Sequence, residues 1–160
     1  MVALSWAVIP MNNCTECGAS LSEQQTCQEL FHLMLFWESE NQLLGEVHHL
    51  MVLGYHLQHP SLLSPEGLSE MIALLEAFVK QGVSTDVVRK QNRSRLDSRQ
   101  RKWKIKASAS QRGAYRQPVH WTMTAGDVVA GGADNYVANV RRWAHSIHAA
   151  IHPSDEVSKK

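Results

Sequence analysis

The sequence predicts an all-α protein: a compact bundle of about five helices, with a knuckle-like turn near the N-terminus that is built on two cysteines. Several segments show the 3.6-residue apolar period of an amphipathic helix, bounded by capping residues or prolines. The turn is predicted by a C-x-x-C-G motif at Cys14, Cys17 and Gly18. A third observation is the stretch 46–60, which carries four histidines on a largely apolar segment and ends at Pro60.

A single helical domain covering residues 1–160 is the simplest organisation, because a chain of this length buries enough surface to fold without disulfides or bound metals. The hydrophobic share of 44% is ordinary for a globular protein. Three cysteines cannot form a closed disulfide framework, which favours a reduced, cytoplasmic protein whose thiolates serve as ligands. No apolar run approaches the roughly 18 residues that span a bilayer, so we expect no membrane partner.

Capping residues place the helices along the chain. Thr26 and Glu29 form a capping box before the first helix, and Ser64 followed by Pro65 is a typical N-cap and first-turn pair. The predicted helices are 27–38, 43–58, 66–81 with a stop at Gly82, a fourth from Ser84 whose period fades after Val88, a short piece between Thr124 and Gly131, and 134–151.

Charge is distributed unevenly. Residues 1–88 hold ten acids and one lysine, for a net charge of −9, whereas residues 89–116 hold eleven Lys and Arg residues and one acid, for +10. We expect 89–117 to be a basic, flexible insertion within the domain. Cations bind phosphates and aromatic rings stack on bases, so the predicted partner of this segment is nucleic acid. The alternative is an acidic protein surface, which its positive charge would also attract. The candidate nucleic-acid residues are Arg93, Arg95, Arg99, Arg101, Lys102, Trp103 and Lys104.

Cysteines and one histidine form a candidate metal site. Two thiolates separated by two residues chelate one tetrahedral ion, and structural zinc closes with two more Cys or His ligands. Cys27 opens the first helix and His48 lies in the next, so we predict zinc bound by Cys14, Cys17, Cys27 and His48. The alternative for Cys27 is a buried apolar side chain.

The choice among the histidines of 46–60 is geometric. His48 and His59 share a helical stripe with Tyr55, but they would lie roughly 16 Å apart along a continuous helix, so one ion cannot bind both. His48 is nearer the start of the helix and is the predicted ligand. Pro60 displaces the residue before it from helical geometry, and we predict Tyr55 and His59 only as residues lining the site.

Several landmarks are shared with one bacterial family. They are a C-x-x-C-G-A head at 14–19, the helix-opening Cys27, and a V-H-x-L-x-V-x-x-Y-x-x-Q-H-P segment at 47–60. By these motifs the chain resembles bacterial domain-of-unknown-function family 5946. The resemblance covers most of the chain except the basic segment. It implies a compact helical domain with a metal knuckle, and it assigns no reaction.

The sequence therefore predicts a small metal-binding protein, with structural zinc, that acts as a binding or interaction module. One alternative is a nucleic-acid-binding protein that uses 89–116. Another is a metalloenzyme whose zinc keeps an open position near His48 and His59. The chain holds no phosphate-cradling Gly loop and no H-E-x-x-H motif, so no reaction class is predicted.

Overall fold

The computed structural model of the chain describes residues 11–87, 90, 99 and 102–153. Within these residues five α-helices follow a short antiparallel hairpin, and the predicted mostly helical fold is confirmed. Residues 85–87 and 90 are also helical, and the rest of the predicted fourth helix lies outside the described residues. The elements are β1 (Met11–Asn13), β2 (Ser20–Ser22), α1 (Cys27–Glu40), α2 (His48–Gln58), α3 (Pro65–Gln81), α4 (Ala125–Ala130) and α5 (Tyr136–Ile151).

Side-chain caps start the helices where the sequence predicts them. The backbone N–H of Glu29 donates to the Thr26 hydroxyl at 3.2 Å, and the Glu29 carboxylate accepts from the Thr26 N–H at 2.6 Å. At α3 the Ser64 hydroxyl accepts from the Gly67 N–H at 3.0 Å. Gly82 ends α3 with a φ of 59°, a left-handed conformation that glycine adopts without steric cost. The capping hydrogen bonds at Thr26 and Ser64 satisfy backbone N–H groups of the first turns, which have no partner within the helix.

The predicted second helix, 43–58, is two elements. A 3-10 helix covers Gln42–Val47, and α2 begins only at His48. The Asn41 side chain accepts a hydrogen bond from the Leu43 N–H at 3.1 Å, which starts the 3-10 helix directly after α1. His48 is therefore the first residue of α2 and lies beside the end of α1.

Helices α2 and α5 pack closely at the centre of the core. Trp143 is fully buried, and a side chain on Gly54 would meet its ring at 3.1 Å, so glycine permits the helices to approach. Gln58, also fully buried, accepts a hydrogen bond from the Trp143 indole N–H at 3.2 Å and donates to the Met123 carbonyl at 2.7 Å. One amide thereby satisfies two buried polar groups.

The described part of the basic segment, residues 102–117, contacts the helical body. Lys106 forms an antiparallel bridge with Leu63. The Ser64 N–H donates to the Ile105 carbonyl at 2.8 Å, and the Tyr115 hydroxyl donates to a backbone carbonyl of α2 at 2.7 Å. These bonds fasten one edge of the segment beside the start of α3. Arg93, Arg95 and Arg101 lie outside the described residues.

Among the described residues, no helix combines the length and the apolar character needed to cross a bilayer.

Candidate metal centre

The C-x-x-C-G motif forms the turn between β1 and β2. The Gly18 N–H donates to the Cys14 carbonyl at 2.9 Å, and the Cys14 N–H donates to the Ala19 carbonyl at 2.9 Å. Gly18 has a φ of 75°, which a residue with a side chain rarely adopts. The Ala19 N–H in turn points to the Cys17 sulfur at 3.4 Å. The turn therefore presents both sulfurs and one backbone donor on the same side of the hairpin.

Cys27 reaches this turn from the first residue of α1. Its sulfur lies 3.5 Å from that of Cys17, and neither residue is in a disulfide. The capping box at Thr26 and Glu29 fixes the first turn of the helix and so fixes the direction from which Cys27 approaches.

His59 supplies the fourth donor atom, and Pro60 explains its position. Helix α2 ends at Gln58, and His59 has a φ of −128°, outside the helical region, as expected for a residue before proline. Its Nδ1 lies 2.7 Å from the Tyr55 carbonyl, and its Nε2 lies 3.6 Å from the Cys14 sulfur. A ring that donates from Nδ1 to a backbone carbonyl leaves Nε2 as the unprotonated nitrogen, which is the atom a metal ion binds.

The four donor atoms all lie within 4.8 Å of one another, in a group made of Cys14, Cys17, Cys27 and His59. A tetrahedral zinc ion with ordinary bond lengths requires about 3.8 Å between two sulfurs and about 3.6 Å between sulfur and nitrogen. The observed separations of 3.5 Å between Cys17 and Cys27 and 3.6 Å between Cys14 and His59 are close to these values. The residues present therefore fit a tetrahedral metal ion.

Hydrogen bonds and burial shift the pKa values of the groups in the cluster. The hydrogen bond from Cys27 lowers the pKa of Cys17 to about 4 despite burial, and the same bond, with burial, raises the pKa of Cys27. Burial lowers the pKa of His59, but its hydrogen bond and attraction to Cys17 outweigh this and raise the pKa to about 9. Without metal the His59 imidazolium pairs with the Cys17 thiolate, and a bound metal ion would displace the proton from Nε2, since metal binding releases protons from its ligands.

Neighbouring side chains support the cluster. The Tyr55 ring packs on the His59 ring with 4.6 Å between centroids, and the Phe31 ring stacks on that of Tyr55 with 4.4 Å between centroids. The Glu16 carboxylate accepts from the Ser61 N–H at 3.1 Å and from its hydroxyl at 2.9 Å. Glu16 therefore ties the knuckle to the turn that follows His59. Its role has no signal in the sequence beyond its place between two cysteines.

The structure brings together the three predicted cysteines but places His59, and not His48, beside them. The Nδ1 of His48 lies 2.6 Å from a Glu38 oxygen, and the Tyr136 hydroxyl donates to the other oxygen of that carboxylate at 2.7 Å. His48 is absent from the group of donor atoms, because it begins α2 and the cluster lies at the opposite end. The structure thus groups His59, and not the predicted His48, with the three cysteines, and Tyr55 borders the group through its ring contact with His59.

A cleft of about 610 Å³ runs beside the cluster, between the knuckle and the loop that precedes α4. Cys14 and Cys17 line it from one side, and Trp121 and Thr122 line it from the other. Cys14 is partly exposed, whereas Cys17, Cys27 and His59 are 2%, 7% and 5% exposed. One side of the cluster consequently faces the cleft.

Fold and site together define a mostly helical protein in which a hairpin turn and two helices gather three cysteines and one histidine within metal-binding distance. The model of the family of unknown function DUF5946 matches residues 12–152, and the chain belongs to this family. No curated protein and no solved structure matches the chain.

Proposed function

We propose that Cys14, Cys17, Cys27 and His59 hold a structural zinc ion in a small protein that works by binding a partner. The observation that carries the proposal is the convergence of four donor atoms within 4.8 Å from three separate parts of the chain. Three thiols and an imidazole are a soft donor set, and a tetrahedral arrangement of such donors is typical of zinc. The Tyr55 carbonyl fixes the His59 ring, as outer-shell acceptors do for metal-bound histidines.

A structural role follows from the number of ligands. Four protein donors complete a tetrahedral shell, whereas catalytic zinc keeps one position for water or substrate. The bound ion would supply cross-linking, because its ligands would join the hairpin, the start of α1 and the end of α2. Structural zinc contributes roughly 10–16 kcal/mol in small domains, which equals or exceeds the stability of an ordinary domain. We therefore expect the ion to decide whether the N-terminal third folds.

The experiment is a metal analysis of the purified protein beside Cys17→Ser and His32→Ala. His32 is an exposed residue of α1 outside the cluster and serves as the matched control. We expect one zinc per chain in the wild type and in His32→Ala, and a loss of zinc with a lowered thermal midpoint in Cys17→Ser. Chelation of the wild type should lower its helical circular dichroism. Metal-free protein with an unchanged thermal midpoint would contradict the proposal.

A second candidate function is a zinc enzyme, and the observation that favours it is the cleft beside Cys14. In that case Cys14 would yield its position, and the ion would bind water or a substrate from the cleft. Cobalt substitution separates the two functions. A closed shell gives a tetrahedral cobalt spectrum that added azide leaves unchanged, and an open position gives a spectrum that azide alters.

A further inference from the structure

The basic segment has an ordered face of lysines that alternates with residues turned to the body. Lys102, Lys104 and Lys106 are exposed, and the residues between them and after them, at 103, 105 and 107, are partly buried. The antiparallel bridge between Lys106 and Leu63 fixes the end of this segment against the helical body. We call Lys102, Lys104 and Lys106 the lysine face.

These lysines are not neutralised by the acidic body in the part of the chain that the structure describes. The ion pairs recorded there join other residues, such as Lys80 with Glu76 at 3.3 Å and Arg141 with Glu46 at 3.4 Å. One carboxylate, that of Glu66, lines the neighbouring cleft. The lysine face therefore keeps its positive charge available for a partner.

A cleft of about 400 Å³ lies along the lysine face, which is large enough for a nucleotide. All three lysines line it, together with Trp103 and polar groups of Ser64 and Gln111. Trp103 is partly buried and borders the cleft. Positive charge and an aromatic wall thus meet in one concave surface.

We propose that the lysine face binds single-stranded nucleic acid, with phosphates on the three lysines and a base in the cleft against Trp103. Each exposed lysine can meet one phosphate of a flexible single strand, whose backbone bends to follow the cleft. Stacking on an aromatic wall requires a base free of its partner, which favours a single strand over a duplex. This inference goes beyond the zinc proposal and does not depend on it.

The test is a fluorescence-anisotropy titration of a short labelled thymidine oligonucleotide with the full chain. Lys104→Gln/Lys106→Gln removes two charges from the lysine face, and Lys80→Gln/Arg141→Gln removes two charges elsewhere as the matched control. Each single-strand phosphate contact adds about 0.7 to the slope of log K against log salt, so the first variant should lower the slope by about 1.4. If the wild type and the variant bind equally at 1 M salt, this difference in slope makes the variant bind about 25-fold more weakly at 0.1 M salt.

The control variant should retain wild-type affinity, and both variants should keep the wild-type circular dichroism spectrum. Equal losses in the two variants would overturn the proposal, since affinity would then follow net charge alone. Tighter binding of a duplex of the same length, of polyglutamate or of anionic lipid vesicles would also overturn it. Absence of binding at low salt would do the same.

Discussion

Replacing His59 by alanine distinguishes the site seen in the structure from the one predicted by sequence. Removing one of four ligands from a site worth roughly 10–16 kcal/mol should cost about 3 kcal/mol, which weakens zinc binding at least 100-fold. The loss of the bond between Nδ1 and the Tyr55 carbonyl adds about 1 kcal/mol to the destabilisation of the fold. His48→Ala is the matched control, because that imidazole contacts Glu38 and is half exposed. It should leave zinc affinity unchanged.

The assay is a competition titration against a chromophoric zinc chelator, with circular dichroism to establish that each zinc-loaded variant is folded. The expected order of affinity is wild type equal to His48→Ala, and both far above His59→Ala. The reasoning is refuted if His48→Ala loses affinity as strongly as His59→Ala, or if His59→Ala binds zinc like the wild type.

Three further predictions concern the frame around the site. Gln58→Leu should lower the free energy of unfolding in urea by about 3 kcal/mol, because the Trp143 indole N–H and one backbone carbonyl would be left buried without partners. Gly67→Ala should lower the free energy of unfolding by about 1–3 kcal/mol, since the new methyl group would overlap a backbone carbonyl of the basic segment. Gly45→Ala is the control, because a methyl group there would meet no atom within 4 Å. Burial raises the pKa of Tyr115 in the folded protein. Because the unfolded chain ionises this phenol more readily, the free energy of unfolding should fall as pH rises above about 10, the pKa of tyrosine in the unfolded chain. In Tyr115→Phe this alkaline loss, followed by thermal unfolding, should be smaller than in the wild type.

Local signals account for the parts of the fold that sequence predicts well. The first and third helices begin directly after their N-caps, Thr26 and Ser64, because capping is decided within four residues. The 3-10 helix before α2 was not predicted, because the same apolar pattern fits a continuous α-helix there. The pairing of Lys106 with Leu63 was also missed, although 102–107 alternates between cationic and uncharged residues. An isolated bridge of one residue pair leaves no strand pattern long enough to predict it.

The site was predictable in its cysteines and not in its histidine. Cys14 and Cys17 share one turn, so their spacing alone indicates chelation. The choice between His48 and His59 depends on which end of α2 faces the knuckle, and that is a property of tertiary packing. The one local signal was Pro60, which turns the preceding residue out of the helix. This signal places His59 outside the helix but does not show that its ring faces Cys14, which depends on how the end of α2 packs against the knuckle.

The stretch 46–60 thus makes polar contacts to α1 at both of its ends. At one end His48 and Tyr136 share the Glu38 carboxylate, which joins α2 and α5 to α1. At the other end His59 meets the cysteines of the knuckle and of α1. The 11-residue helix α2 holds these two contacts about 16 Å apart. They reach α1 at Cys27 and at Glu38, so α1 is fixed to α2 near both ends of α1. Loss of metal would remove the fastening at the knuckle end, and the contact between Glu38 and the half-exposed His48 should be too weak to keep the N-terminal third folded.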